Sequence, residues 1–557
     1  MLLPILQAKE NPVSQIVSFA GLDLRPKAKQ GTLLETENLC ADAYPALTTR
    51  QPREKVVSMT GITAFCAPEE TGEPLTAFTG VKDRLFYYQG TQIGDELLEA
   101  GEKSIADFNG KICIFPDKVY YDYLPDPDTG TVSQTLCSME QTQTLTGVNF
   151  YSAYNETTGA YTAYISKSGA DFSAWKPGDS LVIRGCAKTQ NNTCVVQGRK
   201  DYAAEDAIVS VVVESVETGR MNLLLYQKRG GLAKFENGTE SGSITIGRSI
   251  PDMDHVCVHN NRLFGTAKNG EYLYASKLGD CMNFHTFAGL DSDSWYSAIG
   301  TPGSFTGICS YRTAVVAFKS HCIHHVYGDT PRNFSIPKQT AGGCVDGRSI
   351  AEIGGILYYL SAAGFYAYQG GEPYAAAPQL TGRHDRYCAA GTDGQRYYAA
   401  ASADGTHYDL LVYDPALNLW YREDDTAFFD FVFYGGSLYA AAPDGIWRYH
   451  CGSETVSWSL TTHPITLRTM THKGMPSLRL RLWRGEDTSV KIEVSHDGGA
   501  FVPAGKIHKQ SGFGVSRIPV RFQKCDSFQL RISGSGPVVL HDLELVTYQG
   551  GKTYGIS

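Results

Sequence analysis

Through the second half of the chain, apolar and polar positions alternate in short bursts broken by Gly, Asn or Asp, and the bursts recur. The run from Val256 to Ser276 reads as an apolar strand, a turn at Asn260-Asn261, an aromatic-rich strand, a second turn and a third strand. Ile353 to Tyr368 and Phe431 to Tyr449 repeat that order, and related units begin near Thr306 and Ala390. Alternation over four to eight residues bounded by turn residues predicts antiparallel strands. Unit starts lie roughly 40 to 50 residues apart, the period of propeller blades and comparable β-arrays.

The pattern divides the chain into five parts. Residues 1–55, including Phe19–Arg25 and Glu35–Arg50, show no sustained helical period and are expected to form an extended N-terminal arm. Such an arm, lacking its own core, is suited to lie across a neighbour and order on assembly. Residues 56–132 hold the first blades, seen in Leu75–Tyr88 with its turn at Asp83-Arg84 and in Asn109–Tyr121; Leu124–Gly130 is a loop by composition. Residues 133–250 differ in texture. Trp175–Arg184, Ala207–Val216 and Met221–Tyr226 are β-rich, the last two joined across Glu217–Arg220, and predict an inserted small β-barrel or sandwich. The blades resume over 251–454. Residues 455–557 alternate in Ser477–Trp483 and Val490–Val494, turn at Asp497–Gly499, and predict a C-terminal β-sandwich. The expected fold class is all-β, a β-propeller platform with an inserted small β domain and a C-terminal β-sandwich.

At 557 residues the chain exceeds a single core. Charged residues make up only 19%, while 58 Gly and 33 Tyr favour short strands and turns. A net charge of −9 argues against wrapping nucleic acid on a basic face, though not against DNA sliding past an acidic wall. No run of 18 apolar residues is present, so no membrane span is expected, and the segment from Met1 lacks the basic start of a signal peptide. The 14 cysteines are scattered singly from Cys40 to Cys525 without a CxxC pair, which predicts reduced thiols and synthesis in the cytoplasm. The sequons at Asn237 and Asn333 then carry no meaning.

Candidate chemistry is sparse. No GxSxG, HExxH, Walker A or Rossmann glycine fingerprint is present. His321, His324 and His325 cluster on one strand, His321 and His325 on one face and His324 on the other; a metal would need a third ligand from elsewhere, so a strand with polar ends is expected. Asp291-Ser-Asp293 resembles the start of a calcium loop without its Gly and closing Glu, and reads as a solvated turn. Ser495–Phe501 resembles the structural Asp-box hairpin of sialidases. Asp424-Asp425 is the acidic pair to consider for a glycosidase, which needs two converging carboxylates. The abundant aromatics read as cross-strand and core pairs. No catalytic, cofactor-binding or metal residue is assigned, and the chain reads as no enzyme.

Asn261–Thr266, followed by Tyr272–Phe284, resembles a phrase of tail nozzle proteins (tail tubular protein B) of short-tailed phages. Val315–Asp329, Gly342–Ser349 and Leu357–Tyr366 continue in the same order. Asn38 and Tyr44–Arg50 in the arm agree, and Arg521–Gly536 is similar to C-terminal modules of phage and prophage virion proteins. The resemblance covers most of the chain outside 133–250, and its motifs are structural. It implies a homo-oligomeric ring, a hexamer in that family, below the portal and its adaptor. The ring would line the channel through which phage DNA passes without specific binding and would contact tail fibre or distal tail proteins. The implied location is the virion tail, after synthesis in the host cytoplasm. Two other classes compete: a carbohydrate-binding or carbohydrate-active β-propeller recognising the host surface, and a cellular scaffold propeller. The first predicts paired carboxylates and exposed Trp in one pocket; the second leaves the arm and the phage-like phrases unexplained.

Overall fold

The computed structural model describes residues 13–67, 74–126, 129–194, 205–228, 230–337, 340–507, 511–521 and 523–549. Strands joined by tight turns and short 3-10 segments make up the described elements, and the fold class is all-β of the β-propeller type. The chain forms two compact units: Gly61–Gly347 with Gly370–Pro373, and Met1–Thr60 with Arg348–Gln369 and Tyr374–Ser557.

The first unit contains four four-stranded antiparallel blades and a barrel. Blade 1 spans Ile62–Gln92, blade 2 Ser104–Ser138, blade 3 Met253–Ala298 and blade 4 Phe305–Ala341. The first hairpin of blade 3 turns at Asn260-Asn261, where φ is +46° and +55°; Asp83-Arg84 in blade 1 has φ of +50° and +66°. Positive φ at both central residues makes the turn that matches strand twist, which is why the repeat punctuates itself with Asn, Asp and Gly. The closed barrel uses Gln141–Tyr154, Tyr161–Ser166, Ser180–Arg184, Ile208–Glu217, Arg220–Gln227 and Gly238–Arg248. Val148, Phe150, Ile183, Val211, Leu223 and Ile246 fill it. It begins later than the 133 expected, because Cys137–Ser138 pairs with Val119–Tyr120 as the outer strand of blade 2.

The second unit contains blades 5, 6 and 7 (Ala351–Ala375, Tyr387–Arg422 and Asp430–Arg448) and the sandwich. Blade 7 has only three strands of its own; its fourth is Glu54–Ser58, antiparallel to Gly445–Arg448. The middle strands Tyr397–Ser402 and Ser437–Ala442 are almost wholly buried, being covered on both faces, and are therefore Ala-rich and continuously apolar.

Residues 13–49 correct the expectation of a coreless arm. Val13–Ile16, Leu39–Cys40 and Leu47–Thr49 join Lys473–Arg484, Gly512–Pro519 and Val538–Gln549 in one sheet of the C-terminal sandwich. Leu33–Glu37 joins Ser457–Thr462, Ser489–His496, Val502–Ile507 and Phe528–Ser535 in the other. Phe19, Leu33, Leu39 and Leu47 are buried with Leu480, Ile492, Leu530 and Leu543 in the shared core. The segment has no core of its own because it is part of this one.

Candidate functional site

A dense set of buried ionisable groups lies in the second unit, where the chain leaves the sandwich strand Leu47–Thr49 and enters the blade 7 strand Glu54–Ser58. That crossing carries Arg50 and Arg53. Facing it, Glu423-Asp424 follow directly on the last strand of blade 6, Leu419–Arg422, and are pinned where the Glu423 N–H donates to the Leu410 carbonyl and the Glu423 carbonyl accepts from the Asn38 N–H, both at 2.8 Å. Arg50 is anchored from behind by Nε to Asn38 Oδ1 (2.6 Å) and Nη1 to the Gln51 carbonyl (2.9 Å). Its Nη2 lies 3.6 Å from Asp424 Oδ2 and its Nε 3.9 Å from Glu423 Oε2. Arg53 pairs through Nη2 with Asp424 Oδ2, while its Nη1 lies 3.7 Å from Glu423 Oε2 and 3.5 Å from the Tyr449 hydroxyl. Its guanidinium also sits over the rings of Phe428 (5.3 Å) and Tyr449 (5.5 Å).

Two cations and two anions thus make a buried cluster, to which the exposed Glu454 adds a third carboxylate 3.3 Å from Arg50 Nη1. Burial raises the Glu423 carboxyl above its ordinary range, against the pull of Arg53 and Arg50. Burial also acts upward on Asp424, but Arg53, the Thr426 hydrogen bonds and Arg50 outweigh it and hold that carboxyl below its ordinary range. Glu423 Oε2 and Arg53 Nε make no hydrogen bond among the described residues. A neighbouring network continues the polar layer: the Tyr398 hydroxyl donates to Asp393 Oδ2 at 2.8 Å and meets His450 Nε2 at 3.2 Å. Burial would raise Asp393; bonds from His450, the Arg396 and Gln395 N–H groups and Tyr398 instead hold it at about 2. The cavity among Cys40, Arg50, Tyr398, Glu423 and His450 is only about 10 Å³, room for a single water and for no sugar.

The acidic pair expected at Asp424-Asp425 is therefore brought together differently. Asp425 is exposed, and the partner of Asp424 is Glu423. Sequence reasoning missed Glu423, Arg50 and Arg53; the one available signal was that Arg50 closes the Tyr44–Arg50 phrase.

The other candidates fall into structural roles. His324 and His325 are both buried, correcting the reading of a strand with polar ends: a middle blade strand has no wet face. His324 Nε2 lies 2.9 Å from Thr301 Oγ1, and burial holds both imidazoles down at about 4. His321 is exposed, and no group of three His, Cys, Asp or Glu placed to hold a metal occurs among the described residues. The Asp291–Asp293 turn is solvated only at Asp291. Asp293 is 4% exposed, its Oδ2 accepts from the Gly289 (2.6 Å) and Leu290 (3.1 Å) N–H groups, and Arg262 donates to the Asp291 and Asp293 carbonyls. In the Asp-box-like hairpin, Ser495 Oγ donates to the Gly499 carbonyl and Asp497 Oδ1 accepts from the Asp526 and Ser527 N–H groups, all internal ties.

No family model and no curated protein matches the chain. Among solved structures it is similar to BamB from Moraxella catarrhalis, at 11% identity over 72% of this chain and 99% of that one, with a TM-score of 0.34. It is similar to an exo-β-1,3-galactanase from Phanerochaete chrysosporium crystallised with galactose, at 10% identity over 52% and 94%, with a TM-score of 0.21. BBS1N in complex with ARL6DN matches at 10% identity over 72% and 96%, with a TM-score of 0.26.

Proposed function

We propose that this chain is a non-enzymatic structural subunit of a phage tail, a nozzle or tail-hub ring protein. The observation that carries the non-enzymatic half is the state of the Glu423-Asp424 pair. Glycoside hydrolysis needs two carboxylates facing a sugar-sized cleft, one able to give a proton and one free to attack or to activate water. Here both are faced by Arg50 and Arg53 beside a space of one water. Support for the tail half is the order of the nozzle-like phrases on the fold. Asn261–Thr266 covers the second strand of blade 3, Val315–Asp329 the second and third strands of blade 4, and Leu357–Tyr366 those of blade 5. In this reading a hexameric ring sits below the portal and adaptor in the virion, and a chain of net charge −9 has no net positive charge to hold the DNA that passes.

The test is the mass of the purified full-length chain by native mass spectrometry, with negative-stain images of any large species. Closed rings with a hole wide enough for duplex DNA are expected. A chain that stays monomeric, and that releases sugar from a polysaccharide in a manner abolished by Glu423→Gln, would replace this reading with the carbohydrate-active one.

A further inference from the structure

We infer that the C-terminal sandwich carries a binding site for neutral saccharides, built around Trp483. Thr48, Val539, Trp483 and Phe513 lie in one row across four adjacent strands of the sheet that includes Lys473–Arg484. Leu478, Leu480 and Leu482 point into the core, so the alternation of the strand turns Trp483 outward. Its side chain is 40% exposed at a place where packing gives no reason for an indole.

Beside Trp483 opens a cavity of about 400 Å³, within the range of roughly 300–1,000 Å³ typical of small-molecule sites. Trp483 and Pro537 give it apolar walls; Gln51, Ser453, Glu454 and Thr455 give it a polar rim. The floor is preformed. Arg50, its side chain 8% exposed, is clamped by Asn38 and the Gln51 carbonyl and reaches Glu454 Oε1 at 3.3 Å.

This chemistry selects the ligand class. A pyranose presents a flat patch of C–H groups on one face and hydroxyls around its edge, matching an indole wall and a rim of amide, hydroxyl and carboxylate groups. Gln51, Ser453 and Thr455 make no side-chain hydrogen bond to other described residues, so their capacity is open to ligand hydroxyls. The only cation in the lining is Arg50, already faced by Glu454, Glu423 and Asp424. An acidic sugar or a phosphate would therefore meet Glu454 without a free counter-charge, which leaves a neutral saccharide. The site shares Arg50 with the Glu423-Asp424 cluster, its other walls come from sandwich strands and the Ser453–Val456 segment, and it stands independently of the tail reading.

The test uses the full-length chain with the methyl glycosides of glucose, galactose, mannose and N-acetylglucosamine, followed by saturation-transfer difference NMR and tryptophan fluorescence. Saturable binding of at least one glycoside at millimolar concentration is expected. Trp483→Ala should weaken it by at least about tenfold, and Thr455→Trp, which fills the cavity, should abolish it. Phe513→Ala, in the same row but outside the cavity, should leave it unchanged. Absence of saturable binding to all four glycosides overturns the proposal, as does wild-type affinity in Trp483→Ala. Tighter binding of N-acetylneuraminic acid overturns the ligand class. If the glycosides fail and Trp483→Ala instead changes the sedimentation coefficient, the face is an interface between copies and the proposal falls. Failure of the glycoside titration by itself leaves the ring measurement standing.

Discussion

Replacing Arg53 by Met removes the cation shared by Glu423 and Asp424 while keeping a chain long enough to pack between Phe428 and Tyr449. Breaking a buried ion pair by deleting one partner costs about 3–5 kcal/mol, because the remaining charge is stranded. Arg50 stays within 3.6 Å of Asp424 and 3.9 Å of Glu423, which places the cost at the low end. Loss of the cation over two rings adds about 0.5–2 kcal/mol, partly returned by methionine sulfur against the same rings. The net expectation is about 3 kcal/mol. A chain of several domains does not unfold in two states, so a global midpoint is the wrong observable. Amide hydrogen exchange in the segments 419–425 and 445–450 reports the local opening energy, and about 3 kcal/mol corresponds to roughly 10²-fold faster exchange. Arg53→Met with Asp424→Asn removes one charge of each sign and should recover about 1–3 kcal/mol of the loss. The catalytic alternative predicts the opposite behaviour, since neutralising a catalytic carboxylate commonly stabilises a fold. If Arg53→Met changes exchange by less than about tenfold, or if Glu423→Gln slows it, the cluster is not the structural tie described here.

Three further outcomes follow from the same reasoning. His324 and His325 are held at about 4 by burial, below the ordinary imidazole value of about 6.5. Their contribution is therefore full above pH 6.5 or so, is lost as pH falls towards about 4 because the unfolded chain protonates first, and is constant below that; each is worth up to about 3 kcal/mol. Exchange of the blade 4 strands measured against pH checks this, and a flat profile between those limits would contradict it. Deleting residues 1–50 strips strands from both sheets and bares Leu480 and Leu543, so dye binding to exposed apolar surface and loss of near-ultraviolet ellipticity are expected; a truncated chain with an intact sandwich would show that those strands are dispensable. Lys319 is fully buried, its Nζ donating to the Gly270 (2.7 Å) and Thr301 (2.6 Å) carbonyls, so Lys319→Met leaves two acceptors unpaired and should lower the local opening energy read by amide exchange in Ala314–Lys319 by about 2–6 kcal/mol, against under 1 if the carbonyls find water.

What was legible in the sequence is what short-range chemistry writes. Asn260-Asn261 and Asp83-Arg84 announce their hairpins because two consecutive positive-φ residues must be of types that tolerate that region. Glu217–Arg220 announces the barrel hairpin between Ile208–Glu217 and Arg220–Gln227 through Gly219, whose φ of +69° suits glycine. The period-2 rule failed at His324 and His325 because it presumes one wet face, and middle blade strands have none. The N-terminal segment misled for another reason: Leu47 pairs with Leu540, so its short apolar runs had no partner within reach of a local reading.

The same separation hid the candidate site and gives it its meaning. Asp424 and Arg53 are 371 residues apart in sequence, and an acidic pair read alone is indistinguishable from a catalytic one. What decides its role is the counter-charge that the fold delivers, and here it comes from the four-residue crossing between a sandwich strand and the strand that completes blade 7. A buried charge cluster at such a crossing is a weaker stabiliser than an apolar plug of the same volume. Its arginines, however, fix direction, Arg50 through its bonds to Asn38 and the Gln51 carbonyl and Arg53 through its place over the Phe428 and Tyr449 rings, where a plug would be free to slide. The cluster therefore sets how the crossing enters blade 7. Arg50→Met and Arg53→Met together with apolar replacements of Glu423 and Asp424 should accordingly regain stability while losing the register of Glu54–Ser58 against Gly445–Arg448, visible as altered exchange in that strand pair alone.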